Sequence, residues 1–402
     1  MTDEAVKPLA GVRILDLSRV LAGPVCTMLL ADMGAEVIKV ENPDGGDETR
    51  NMKPPAAGGE AHFFLSVNRT KKSVAIDITT PEGQELIHRL AAECDVLVEN
   101  YRKGVMSRQG LDYDSMRARH PHLIYLSISA YGRESPLADL PGFDPILQAE
   151  AGLMSLNGEP EGEPLRHPLA IIDTFTGVYS ALAVMGALEA RRQTGKGQFI
   201  DLALFDVALS VLTNVGMYYL TSGTVPPRRG NGHPTSVPNG LYWGSTGPFY
   251  IALANQRLWK RFCEGVIERP ELLDDPRFRT LSDRIAHRDA INAMLKEIFA
   301  GNTREHWLER FRAAGVPAGA VRSVDQALES PEAAARDMVR RVPHPTAGEI
   351  RMVGSPLKFS GTPVVDPVAP PLLGQHTTEV LCGLLGMEPE QIARLREGGV
   401  VK

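Results

Sequence analysis

Apolar and polar positions alternate in a strand–helix–strand rhythm from the start of the chain. Val12 to Leu17 is apolar and β-branched, Gly23 and Pro24 break the run, and Val25 to Met33 carries an apolar helical face. Val37 to Val40 is a second strand, closed by Glu41. This pattern predicts a Rossmann-like half with a loop at the carboxyl end of the first strand, a place suited to a nucleotide-bearing ligand. Glu41 stands where NAD-binding units carry an acid, but the first loop has no GxGxxG, so the dinucleotide fingerprint is absent. Pro43 to Glu60 is irregular, and Val74 to Ile78 is a third strand. Just before it lies a basic knot of Asn68, Arg69, Lys71 and Lys72, for which a solvated turn and a phosphate contact are the two readings. Thr80-Pro81-Glu82-Gly83 opens an amphipathic helix running to Ala92. DVLVENY is a fourth strand with Asn100 to Arg108 at its carboxyl end, and LIYLSISAYG is a fifth. The order predicts an α/β domain with a mainly parallel sheet.

Further along, Leu169 to Ile172 reads as a short buried strand leading into Asp173. Thr174, Thr176 and Gly177 then start a helix that is apolar or small from Tyr179 to Arg192, Glu189 excepted, and is expected to be largely buried. An acid between two buried elements loses water, so ionising it costs free energy unless donors compensate. Two readings of Asp173 stand: a helix cap, or a carboxylate nucleophile aimed at a thioester or anhydride. FIDLALFDVALSVLTNVGMYYL follows as a strand and one long apolar helix. From Ser222 to Asn239 the composition shifts to Pro, Gly, Arg and Asn, a linker or active-site loop. GLYWGSTGPFYIALAN reads as a hairpin, charged helices follow to Ala314, and GVPAGAVRSV ends the segment with a strand. HPTAGEIRMVGSPLKF is a further antiparallel pair, and APPLLGQHTTEVL begins a proline-stiffened tail and closing helix. The expected organisation is a large Rossmann-like domain over 1–224, a smaller α+β domain over 225–325, and a return over 326–402 that rejoins the large domain.

Composition narrows the function. With 402 residues and 43% hydrophobic content the chain can bury a large core. A net charge of −6 and a pI near 6.0 argue against a general nucleic-acid binder. No uninterrupted apolar run reaches the roughly 18 to 20 residues that span a bilayer, and MTDEAVKPLAG lacks a signal-peptide core. Cys26, Cys94, Cys263 and Cys382 have no CxxC spacing, so neither a metal site nor a disulfide framework is indicated. These features suit a reducing cytoplasm, without nucleic-acid or membrane partners.

Six segments carry a resemblance: PLAGVRILDLSRVLAGP, NRTKKSVAID, DVLVENYRKGVMSRQGL, GFDPILQAEAGLMSLNG, DTFTGVYSALAVMGALEARRQTGKGQFIDLAL and APPLLGQHTTEVL. In this order they resemble the family III CoA-transferases, the formyl-CoA, carnitine and bile-acid transferase superfamily. LSVNRTKKS, HPTAGEI and PPLLGQHTTEVL are most similar to members that move CoA from succinyl-CoA to another dicarboxylic acid, such as glutarate, hydroxymethylglutarate, citramalate or itaconate. The resemblance implies an interlocked homodimer, acyl-CoA as substrate, no permanently bound cofactor, and Asp173 as the nucleophile in a chemistry of aspartyl anhydrides and an aspartyl-CoA thioester. It implies a CoA site made by Val20 and Leu21 in the first loop, Asn42 and Ile76 to Thr79 near the adenine, and Asn100 and Arg108 near pantetheine and phosphates.

Two positions depart from oxalate-using relatives: Leu21 replaces a glutamine and Asn42 replaces an adenine-stacking arginine, so oxalate is a poor guess for the acceptor. The loop that is a glycine run in those relatives is here Arg228 to Pro234, with Gly230, Asn231, Gly232 and His233 as substrate or loop candidates. Arg50, Arg69, Lys71 and His233 are the candidates for holding an acceptor carboxylate. A racemase branch uses a GHD-like triplet; here it is Gly142-Phe143-Asp144, and phenylalanine transfers no proton. Asp144 is left as a binder of the site loop or the acceptor, or a structural acid. A 2-methylacyl-CoA racemase and a catalytically silent acyl-CoA-binding protein are the alternatives.

Overall fold

Six short strands make the central sheet: β1 (Arg13–Asp16), β2 (Glu36–Glu41), β3 (Lys71–Ala75), β4 (Val96–Glu99), β5 (Ile124–Ser129) and β6 (Phe199–Ala203). All neighbours pair in parallel, in the order β3-β2-β1-β4-β5-β6. Helices cover both faces, which is why the central strands read as unbroken apolar runs rather than alternating ones. Ile14 and Leu15 are adjacent on β1 and both fully buried, one in each of two cores on opposite faces. The strand order reverses between β1 and β4, the switch point beside which sheets of this kind offer a crevice to a ligand.

This computed structural model describes residues 6–402. The chain divides into two units: the first runs up to Leu153 and includes Arg166–Thr224 and Pro331–Lys402, and the second is Met154–Leu165 with Val225–Ser330. In the first unit, α1 (Ala22–Asp32) follows β1, α2 (Pro81–Ala92) follows β3, and α3 (Asp144–Glu150) precedes α4 (Ile171–Thr194). Val380, Leu381 and Ile392 of the C-terminal return join Leu86, Ile87 and Leu90 of α2 in one core. The second unit holds the antiparallel hairpin β7 (Asn239–Gly244) and β8 (Gly247–Ala252), with β9 (Ala318–Ala320) beside β8. Its own core is aromatic, built on Phe249, Trp259, Phe262, Phe299 and Phe311.

Several sequence expectations are corrected. The parallel α/β architecture stands, but β3 starts at Lys71, so two of the basic residues lie in the strand. The Lys71 ammonium, fully buried, donates to Asp16 Oδ2 (3.2 Å), Asn68 Oδ1 (3.0 Å) and the Pro24 carbonyl (3.0 Å). Arg69 is buried against Asp32, and Lys72 pairs with Glu36 and Glu379. The knot is therefore neither a solvated turn nor a phosphate site: Arg69 and Lys71 neutralise buried acids, and Lys72 pairs with half-exposed acids at the sheet edge. No strand forms over 169–172; the chain arrives as a loop and α4 begins at Ile171. Nor is α4 buried all round. Ile172, Thr176, Gly177, Ser180, Ala181, Val184, Ala187 and Leu188 face inward, whereas Phe175, Val178, Tyr179, Leu182 and Met185 form an exposed stripe. By length and composition alone this helix could cross a membrane, a test that core helices also pass. The long helix expected after β6 is two, Leu204–Ser210 and Thr213–Ser222, bent by 75°.

Candidate active site

Three neighbouring strands each end in a buried acid: Asp16 on β1, Glu41 on β2 and Glu99 on β4. Each is bound by a cation and a hydroxyl, which works against the cost of burying the charge; at Glu99 burial still outweighs Arg133 and Ser127 and pushes its pKa above the usual carboxylate range. Asp16 takes Ser18 Oγ (2.5 Å), Thr27 Oγ1 (2.6 Å) and Lys71; burial opposes its ionisation, but Lys71 and Lys39 hold its pKa below the usual range. Glu41 receives Arg50 through both oxygens at 2.7 Å, Ser73 Oγ at 2.6 Å and the Asp47 N–H at 3.0 Å. That carboxylate is fully engaged, so nothing of a ribose-binding acid remains at Glu41. Arg50 is likewise consumed, its other nitrogen pairing with Glu60, so Arg50, Arg69 and Lys71 all drop out as anchors for a substrate carboxylate.

The loop after β1 is strained and clamped. Val20 sits at φ +69°, a left-handed conformation that a β-branched residue adopts only under constraint. Its N–H points to both oxygens of Asp47 at 3.3 Å. Lys39 Nζ, buried beneath, donates to Asp47 Oδ2 (2.9 Å) and to the Ser18 carbonyl (2.8 Å). Burial opposes the ionisation of Asp47, but Lys39 lowers its pKa to about 2. From the other side the Asn100 amide grips the Arg19 backbone, accepting its N–H at 2.8 Å and donating to its carbonyl at 2.7 Å. The loops of β1 and β4 are thereby tied together across the switch point.

Around them runs a crevice with two arms. One is lined by Arg19, Val20, Leu21, Asn100, Tyr101, Arg133, Phe143 and Asp173 among others, and holds about 1070 Å³ of empty space, its mouth included. The other, about 950 Å³, is lined by Asn42, Asp47, Ile76, Thr79, Tyr101, Val105 and others. Arg19, Glu48 and Tyr101 belong to both arms. The Arg19 guanidinium lies 4.5 Å over the Tyr101 ring and pairs with Glu48.

Asp173 occupies the first turn of α4 and is not its cap. The capping position is Ala170, which offers no side-chain acceptor, and the role passes to Asp144 at the start of α3. Asp144 Oδ2 accepts the N–H of Ile172 (2.7 Å) and of Asp173 (3.2 Å), while Gln148 Nε2 donates to its Oδ1 at 2.6 Å. Gln148 also bonds His167 and Leu169, fixing the incoming loop. Among the described residues no cation stands beside Asp173: burial first, then the charge of Asp144, push its pKa up to about 7. Gly177, one turn on, lets α4 lie on α1. A Cβ there would meet Val25 Cγ1 at 2.5 Å and the Ala22 carbonyl at 2.8 Å.

Of the sequence candidates, Val20, Leu21, Asn100, Phe143 and Asp173 gather in the first arm, and Asn42, Ile76 and Thr79 in the second. Arg108 is exposed on a short helix whose neighbours Val105 and Gln109 line the second arm, but it lines neither arm itself. Asp144 is buried behind Asp173 rather than lining the crevice. Gly230, Asn231, Gly232 and His233 lie on an exposed loop of the second unit, where His233 Nδ1 accepts the Thr235 N–H at 3.3 Å. Sequence reasoning missed Arg19, Lys39, Asp47, Tyr101 and Arg133. The signal available was the acid closing each apolar strand, which calls for a cation from a neighbouring loop. Among the described residues no cluster could hold a metal ion.

Comparison with known proteins converges on one description. The model of CoA-transferase family III matches residues 9–377. The chain is 38% identical over 396 residues to the human succinyl-CoA:glutarate CoA-transferase, covering 98% of this chain and 90% of that protein. It is 39% identical over 388 residues to the succinate–glutarate CoA-transferase of Agrobacterium fabrum, covering 95% and 96%. The crystal structure of a CaiB/BaiF family protein from Brucella suis superposes with a TM-score of 0.86 at 39% identity, over 94% of this chain and all of that one.

Proposed function

The chain belongs to CoA-transferase family III, and from that premise we propose that it moves CoA from succinyl-CoA to a small dicarboxylic acid through covalent intermediates on Asp173. One observation carries the reading: an uncompensated, half-buried carboxylate stands in a crevice at the carboxyl edge of a parallel sheet. Asp173 attacks the thioester carbonyl, the C–S bond breaks, and the thiolate leaves, giving an aspartyl–succinyl anhydride. The thiolate then attacks the aspartyl carbonyl and expels succinate, leaving an aspartyl-CoA thioester. The acceptor carboxylate attacks that thioester, and the released thiolate opens the second anhydride on the acceptor side, so the new CoA thioester departs and Asp173 is restored. Each intermediate keeps the reactivity of a thioester, which an ester on serine would lose. A carboxylate poorly hydrated at the start has less solvation to give up on attack, and the same exclusion of water protects the anhydrides.

The two arms of the crevice suit the two ends of an acyl-CoA. The adenine end lies by Asn42 and Ile76 to Thr79, pantetheine passes the Arg19–Asn100–Tyr101 junction, and the thioester reaches Asp173. Arg102 and Lys103, exposed at the rim, are the flexible cations fit for phosphates; Arg108 is a third, one turn away. Phe143 in place of a proton-transferring side chain speaks for transfer over racemisation. Two copies of the chain interlock as a homodimer, for which the exposed apolar stripe of α4 is the support. The test is covalent trapping. After mixing with succinyl-CoA, hydroxylamine or borohydride modifies a peptide containing Asp173, and Asp173→Ala neither traps nor turns over. Substantial turnover by pure Asp173→Ala protein sinks the mechanism.

A further inference from the structure

Four cationic side chains line the arm that holds Asp173: Arg19, Arg102, Lys103 and Arg133. Arg19 is engaged by Glu48 and Tyr101, and Arg102 and Lys103 are exposed. Arg133 differs in being held rigid. Its side chain is 19% exposed. Nε donates to Ser127 Oγ at 2.7 Å, Nη2 to Glu99 Oε1 at 2.6 Å, and its own backbone N–H to Asp201 Oδ2 at 2.9 Å. Glu99 is in turn fixed by the Ser127 hydroxyl and the Tyr101 N–H. Among the described residues Nη1 has no partner.

A guanidinium locked along one edge presents its remaining donor with little entropy left to lose, as planar recognition of a carboxylate requires. We propose that Arg133 binds the remote carboxylate of the dicarboxylic acid, the one that does not react with Asp173; this rests on the dicarboxylate reading above. Glu99 already pairs with the Arg133 charge, which moderates the affinity. That balance suits a site that must hold the donor acid, release it and then hold the acceptor at the same place. It also explains a buried acid–base pair at the end of β4 whose cation, unlike Arg50 or Arg69, faces the crevice.

Arg133→Gln and Arg133→Lys are assayed with succinyl-CoA against glutarate and against valerate, its monocarboxylic counterpart of equal length. Binding of free CoA is measured by calorimetry and folding by thermal melt. Arg133→Gln lowers kcat/KM for glutarate by about tenfold to hundredfold, the range for a lost charge-assisted bond, chiefly through KM. It changes valerate and the CoA affinity by less than about twofold, and Arg133→Lys, which keeps charge without the fork, falls between. Equal losses on glutarate and valerate, or a matching loss of CoA affinity, overturn the assignment and make Arg133 a structural or phosphate-binding residue. If Arg133→Gln does not fold, the glutarate-to-valerate ratio of Arg133→Lys decides: an unchanged ratio overturns it. A wild-type enzyme indifferent between the two acids refutes the dicarboxylate reading itself, an outcome visible before any variant is made.

Discussion

One oxygen of Asp144 accepts the backbone N–H of Asp173 at 3.2 Å and that of Ile172 at 2.7 Å, so one carboxylate caps the helix that carries the other. Asp144 therefore does two opposed things. As an acceptor it satisfies amides at the start of α4 that would otherwise lack partners. As a charge it discourages Asp173 from ionising and adds to the effect of burial.

Asp144→Asn keeps the shape and removes the charge. The proposed attack requires Asp173 to be ionised, so wild-type kcat/KM is expected to rise with pH through an apparent pKa of about 7. In Asp144→Asn that acid limb moves to lower pH. Asp144→Ala loses the cap as well and is less stable by about 1 kcal/mol. A pH–rate profile of Asp144→Asn that superposes on the wild type removes Asp144 from the tuning of Asp173.

Removing the charge of Asp173 trades activity for stability. Its folded pKa of about 7 lies above the ordinary aspartate value of 3.8, so the folded state binds the proton more tightly than the unfolded chain. Stability from this group is therefore greatest at low pH, declines as pH rises from about 4, and has been lost by about 7. A displacement of that size corresponds to at most about 4 kcal/mol, and partial solvent access brings the effect to on the order of 2 kcal/mol. Asp173→Asn is inactive and, at about pH 8, melts higher than the wild type, with the gap narrowing toward about pH 5. A constant gap across that range refutes the raised pKa of Asp173.

What the sequence disclosed and what it hid follow from how local each signal is. The parallel sheet was legible because β1, β2, β4 and β5 are buried on both faces, which leaves continuous apolar runs. Asp173 was legible through the resemblance, and its loss of water through the apolar residues around it. Its cap was not, because the acceptor comes from Asp144, 29 residues earlier. The basic segment was misread for the same reason. Its partners Asp16, Asp32 and Glu36 lie on β1, α1 and β2, and only the folded sheet edge brings them to Lys71, Arg69 and Lys72. The exposed stripe of α4 was hidden in a sequence apolar on every face, where periodicity says nothing about which side is covered.

The strained Val20 depends on Asp47. Holding a β-branched residue at positive φ costs about 1 to 3 kcal/mol, and the Asp47 carboxylate, fixed by Lys39, is what receives its N–H. Asp47→Ala releases the loop and raises KM for acyl-CoA about tenfold, a change that also includes the loss of a buried partner for Lys39. Glycine adopts this conformation without strain, so Val20→Gly in the Asp47→Ala background recovers part of the loss, whereas alone it has little effect. Strictly additive effects in this double-mutant cycle refute the coupling.

The last prediction concerns the stripe of α4. Val178, Leu182 and Met185 recur at three- and four-residue intervals with Phe175 and Tyr179 beside them, and Leu182 is 64% exposed in the single chain. A stripe this apolar needs a cover, and the opposite face of the same helix already packs on α1 and the sheet. A second copy of the chain is the cover proposed above. Because α4 also carries Asp173, the proposed interface and the proposed nucleophile share one rigid element. Leu182→Glu places a charge where the partner would bury it, at several kcal/mol unless it finds a cation. By light scattering the wild type has the mass of two chains, and Leu182→Glu shifts toward one, with a lower melting temperature and reduced transfer. Leu182→Met, which conserves volume and character, leaves mass and rate unchanged. A wild type that scatters as one chain rejects the homodimer. A Leu182→Glu protein that remains dimeric and fully active instead assigns the interface to another surface and leaves the stripe without a partner.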